Sequence, residues 1–177
     1  MKIDPEVIKS MDLDIQPTRI QVNALSSKDI LDFMKESSER IIAKSDLYLA
    51  SDNADVQCDC IDIVAFRLND FVQSFIDVMV FIKKKQGDFN REEKSVSLRY
   101  CISSYESLFM EMTEKESKFL EKVLLRNEIT HDYFNREYHQ EELKSLMVSC
   151  SDGALDIVER LKEYCEKNGL LNEMIYR

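Results

Sequence analysis

Apolar residues recur along this chain at alternating three- and four-residue steps, the spacing that stacks side chains on one face of an α-helix. The clearest run is Ile61, Val64, Ala65, Leu68, Phe71, Val72, Phe75, Ile76, Met79 and Ile82, with Asp62, Asn69, Asp70, Gln73 and Asp77 on the opposing face. It closes on Lys83-Lys84-Lys85-Gln86-Gly87-Asp88, where the lysines suit the negative end of a helix dipole and the glycine suits a stop. The pattern predicts a bundle helix of roughly 25 to 30 residues, a rod of about 40 Å at 1.5 Å per residue.

Weaker stripes flank it. Residues 1–26 hold both prolines, Pro5 and Pro17, and one short apolar pattern at Val7, Ile8, Met11 and Ile15, so they read as an arm packed on the bundle. Ser26-Ser27 reads as the cap of a helix to about Ala50, with Ile30, Met34, Ile41 and Tyr48 near one stripe. A third helix is expected from about Asn90 to about Met112. Thr113-Glu114-Lys115-Glu116 then has the form of a capping box. It either opens a fourth helix or lies on the surface of one continuous helix; a break is the preferred reading. Phe119, Leu120, Val123 and Leu124 continue the stripe. A last helix is expected to begin between Asn135 and Glu141 and to run to about Lys167, with Asn168-Gly169 as its stop. The expectation is an all-α protein: an antiparallel four- or five-helix up-and-down bundle over residues 27–177, preceded by an N-terminal arm over residues 1–26.

Composition narrows this further. The chain has 177 residues and 44% hydrophobic content, enough for one real core, and its three glycines, two prolines and absent tryptophan are poor material for an all-β fold. Five scattered cysteines, Cys58, Cys60, Cys101, Cys150 and Cys165, do not form a secretory disulfide framework, so a reducing cytoplasm is the expected location. No stretch approaches a membrane span and the start lacks a leader pattern, so a soluble protein with no membrane partner is expected. The net charge of −10 argues against indiscriminate nucleic-acid binding. Cys58-x-Cys60 projects its two thiols about 200° apart on a helix, and His131 and His139 are the only histidines, so neither metal nor cofactor is expected. Glu92-Glu93, Glu114-x-Glu116 and Glu141-Glu142 read as solvated faces or dipole partners, not acid and base pairs.

The chemical content is concentrated in Leu124-Leu125-Arg126-Asn127-Glu128-Ile129-Thr130-His131-Asp132-Tyr133-Phe134. Arginine offers a permanently charged fork that matches a phosphate, and histidine exchanges protons near neutrality. On a straight helix Arg126 and His131 lie roughly 140° apart, whereas Asn127 and His131 share a face. One regular helix therefore does not bring Arg126 and His131 onto one small ligand. The side chains must wrap inward, the helix must end near Thr130, or a second subunit must supply the missing half across a two-fold axis.

Arg126, four intervening residues, His131, one residue and Tyr133 match the Arg-x4-His-x-Tyr pattern of the HEPN superfamily, and Asn127 matches the polar residue that commonly follows the arginine. The chain resembles in particular the HepT-like toxins, which are encoded beside minimal nucleotidyltransferase antitoxins. It is longer than a typical member, carries the extra arm and is more acidic than an avid RNA binder. The resemblance implies a helical-bundle homodimer with a metal-independent endoribonuclease site at the dimer interface. Arg126 would clamp phosphate, His131 would transfer protons, and Asn127 would orient one or the other. It further implies an RNA substrate, a nucleotidyltransferase antitoxin as partner, and adenylylation (AMPylation) of Tyr133 by that antitoxin as the neutralising modification. The alternative is a noncatalytic HEPN subunit that binds a nucleotide or a nucleotidyltransferase; a helical scaffold with no small-molecule site is the third possibility.

Overall fold

The computed structural model describes residues 25–88, 96–130 and 136–175, with side chains left out of the description from 126 to 139. A short strand β1 (Leu25–Ser26) leads into α1 (Ser27–Ala50) and α2 (Ala54–Gln86). These are followed by α3 (Leu98–Phe109), α4 (Glu114–Thr130), α5 (Arg136–Ser149), α6 (Gly153–Lys167) and strand β2 (Met174–Ile175). The protein is an all-helical bundle. The arm's residues 1–24, with Pro5 and Pro17, lie outside the described residues, as does Asn90.

Local chemistry explains the boundaries. Ser26 caps α1 through a capping box: Asp29 N–H donates to Ser26 Oγ at 3.1 Å, and Ser26 N–H donates to Asp29 Oδ2 at 3.2 Å. Ile30, Met34 and Ile41 of the expected stripe are buried and Tyr48 packs partly on them. After a link over residues 51–53, Asn53 Oδ1 accepts from the N–H groups of Asp55 and Val56 and starts α2. The cap lies upstream of the apolar run used to predict this helix, so α2 has 33 residues, about 50 Å, and exceeds the expected length. It stops at Gly87, whose φ of 78° few other residues tolerate and whose N–H returns to the carbonyls of Lys83 and Lys84.

Two breaks shape the second half. Ser97 caps α3, accepting from Tyr100 N–H at 3.1 Å, and the helix ends at Phe109, short of Met112. Met110 follows at φ 60°, a strained value for a side-chain-bearing residue. Thr113 and Glu116 then form the anticipated capping box, with Glu116 N–H donating to Thr113 Oγ1 at 3.2 Å and Thr113 N–H donating to Glu116 Oε2 at 2.6 Å. The second break corrects the expectation of one last helix to Lys167. The chain turns at Cys150–Asp152, and α6 starts at Gly153, where a Cβ would sit 2.5 Å from the Lys115 carbonyl oxygen. Only a glycine lets α6 begin this close to the first turn of α4. Six helices therefore stand among the described residues, against the four or five expected.

An aromatic chain runs through the core. Phe71 of α2 meets Phe119 of α4 edge-on at 5.1 Å, Phe75 meets Tyr105 of α3 at 5.8 Å, Tyr105 meets Phe109 at 4.7 Å, and Phe109 meets Tyr164 of α6 at 5.9 Å. The strands form an antiparallel ribbon with Leu25 opposite Ile175 and Ser26 opposite Met174. Ser27 fastens the same region: its N–H donates to Glu173 O at 2.8 Å and its hydroxyl to Leu170 O at 2.6 Å.

Candidate functional site

The Arg-x4-His-x-Tyr segment spans the end of α4 and the link to α5. α4 is held by its buried first-turn cap and by Phe119, Leu120 and Val123, each no more than 1% exposed. At its midpoint, one turn before Arg126, Lys122 reaches across to Glu142 of α5 at 3.0 Å, so the two helices lie side by side there. Arg126 and Asn127 belong to the helical backbone that runs to Thr130; their side chains are outside the description. His131 and Tyr133 lie outside the described residues, and so does the His139 side chain. The structure thus puts the arginine and the amide near the end of a packed helix and gives no mutual geometry for the motif's side chains.

The neighbouring described charges are compensated. Lys118 pairs with Glu114 at 2.6 Å, Lys122 with Glu142, and Lys144 with Glu141 at 2.7 Å. In each of Lys118 and Lys144 the hydrogen bond to its carboxylate raises the ammonium pKa. The exposed Lys118 and Lys144 pairs contribute little stability, and the Lys122–Glu142 pair is partly buried; each of these described lysines has a carboxylate partner.

A second polar cluster sits at the opposite end of α4, and sequence reasoning missed it. Glu116, read as a solvated or dipole-partnering residue, is 1% exposed. Its Oε1 accepts from Tyr105 Oη at 2.6 Å, and its Oε2 accepts from Thr113 N–H and pairs with Arg160 at 3.2 Å. Arg160 also donates to Glu111 O at 2.7 Å and lies 5.3 Å from the Phe109 ring centroid. Burial, then the Glu116 hydrogen bond and charge, push the Tyr105 phenol far up, against the opposing influence of Arg160. With its lone pairs already engaged, Glu116 is a fastening rather than an acid or base. The capping-box spacing was a readable signal for its position; nothing local announced Arg160 as its partner.

The remaining candidates carry less. Cys58 is exposed and Cys60 buried, as opposite projections require. Burial pushes the Cys101 thiol up to about 12, with Asp77 adding to it, and the Cys165 thiol up to about 11. Neither is poised as a nucleophile. Among the described residues no cluster of three or more His, Cys, Asp or Glu side chains is placed to hold a metal ion, and no described helix is long and apolar enough to cross a membrane. A cavity of about 430 Å³ between α1 and α2 is bordered by Arg40, Lys44, Phe66 and Arg67. Arg40 pairs with Glu36 at 2.6 Å and Arg67 with Asp70 at 3.1 Å, which blunts it as an anion site. Family models, curated proteins and solved structures give no match to this chain.

Proposed function

We propose that the protein is a HEPN-type, metal-independent endoribonuclease whose site is built from Arg126, Asn127 and His131 of two copies meeting at a two-fold axis. The single observation that carries this reading is the Arg-x4-His-x-Tyr spacing itself. Its support from the fold is that Arg126 and Asn127 ride on a firmly packed helix whose described extent ends at Thr130, one residue before His131. In the reaction the 2′-hydroxyl of the RNA attacks the adjacent phosphorus, the bond from phosphorus to the 5′-oxygen breaks, and a cyclic phosphate and a free 5′-hydroxyl result. His131 moves protons, Arg126 stabilises the charge gathering on the phosphoryl oxygens, and Asn127 holds either partner in register. Tyr133 would be the acceptor for an adenylyl group from a minimal nucleotidyltransferase partner, whose added charge and bulk would keep RNA out.

Purified protein incubated with RNA and chelator tests this directly. Cleavage is expected, with cyclic-phosphate ends, with no cutting of a strand lacking 2′-hydroxyls, and with loss of activity in Arg126→Ala or His131→Ala. Intact RNA under these conditions would sink the catalytic reading. A noncatalytic subunit that binds a nucleotide or a nucleotidyltransferase is the second reading, favoured by the net charge of −10 and the compensated lysines around α4 and α5. Binding of adenine nucleotide or of such a partner without RNA cleavage would establish it.

A further inference from the structure

The outward side of α2 is not fully covered. Ile76 and Val80 are half-buried, and with Phe81, Val96, Met174 and Ile175 they line a groove of about 510 Å³. Lys84 and Lys85 stand at its rim; Lys85 is paired with Glu173. One wall of the groove is β2, and the residue opposite Ile175 in the ribbon is Leu25. β1 therefore lies beside the strand that forms one wall of this groove, while Leu25 itself lines a separate small cavity with Ile30 and Phe33.

We propose that the groove is the docking site of the chain's own N-terminal arm, residues 1–24, through the apolar face made by Val7, Ile8, Met11 and Ile15. Three observations converge on that occupant. Residues 16–24 join Ile15 to Leu25 and span at most about 30 Å, whereas the groove extends about 18 Å along α2 from Gln73 to Lys85, so its whole length is within reach. The face has the helical spacing that an apolar trough accepts. Tethering also makes the contact intramolecular, at an effective concentration of order millimolar, so a weak apolar match is enough. A free partner would have to offset the loss of its own translational and rotational freedom.

The test uses the full chain with the exposed Cys58 changed to Ser and a spin label placed at Ser10→Cys, beside the apolar face and not in it; the other four cysteines are buried. The methyl signals of Ile76, Val80 and Ile175 are expected to lose most of their intensity. The loss should reverse in a labelled chain that also carries Val7→Asp and Ile15→Asp, changes outside the described core. Unbroadened signals at these three residues would overturn the proposal. So would broadening that appears only between copies, when labelled chain is mixed with spin-labelled but isotopically silent chain, because the groove would then hold a neighbour's arm.

Discussion

The two ends of α4 carry similar residue types, and the proposed function gives them different uses. At its start, Glu116, Tyr105 and Arg160 are packed so that phenol, carboxylate and guanidinium are all committed to one another or to the backbone. Towards its other end come Arg126 and Asn127, with His131 next after the helix in sequence, and the nearest described lysines, Lys122 of α4 and Lys144 of α5, are paired with carboxylates. An arginine beside an ionisable group is thus no sign of chemistry by itself. At the start of α4 every bond of the trio is internal, and a group so committed stabilises a fold.

Substitutions at the two ends should give opposite phenotypes. On the proposed endoribonuclease reading the largest effect is expected for His131→Ala: RNA cleavage in chelator should fall about 10³-fold, roughly 4 kcal/mol of barrier, with the unfolding midpoint unchanged. A matching loss of stability would move His131 into the structural class. Glu116→Ala should do the reverse. It removes a cap and strands Tyr105 and Arg160, at a cost of about 3 kcal/mol in denaturant unfolding, moderated because the Arg160 side chain is 30% exposed. Cleavage per folded molecule should hold, and a selective loss of activity would erase the contrast.

Smaller effects sharpen the structural end. Gly153→Ala should destabilise by about 2 kcal/mol, because the new methyl meets backbone at Lys115 and not a yielding side chain. An unaffected unfolding curve would show that α6 does not approach α4 this closely. Met110→Gly should shift the curve the other way, gaining about 1 kcal/mol by relieving the positive φ; a loss would mean that the Met110 side chain matters to the corner more than its backbone does.

What could be read from the sequence was what local chemistry decides. Ser26, Gly87, Thr113 and Gly169 each carry their own turn or cap preference, and each boundary falls where that preference puts it. The turn at Cys150–Asp152 was not legible because Leu146, Met147, Cys150, Ala154, Ile157 and Leu161 keep helical spacing straight through it. Ser151-Asp152-Gly153 is a turn signal hidden within that spacing, and the contact that requires its glycine is with the backbone of Lys115, far away in the sequence. Glu116 was misjudged for the same reason, since its burial depends on Arg160 in another helix. The motif's spacing can be read in one dimension; which of its side chains meet is a long-range matter, and for a paired site an intermolecular one.

The ribbon of β1 and β2 has a mechanical corollary. Its strands are antiparallel and Leu25 faces Ile175, so the chain leaves both strands on the same side. Tension applied through those two exits peels the pairs apart one after another instead of shearing them together, and the next bonds in line are those from Ser27 to Glu173 and Leu170. A modest pull would release the tail after α6 while the six helices still carry no load.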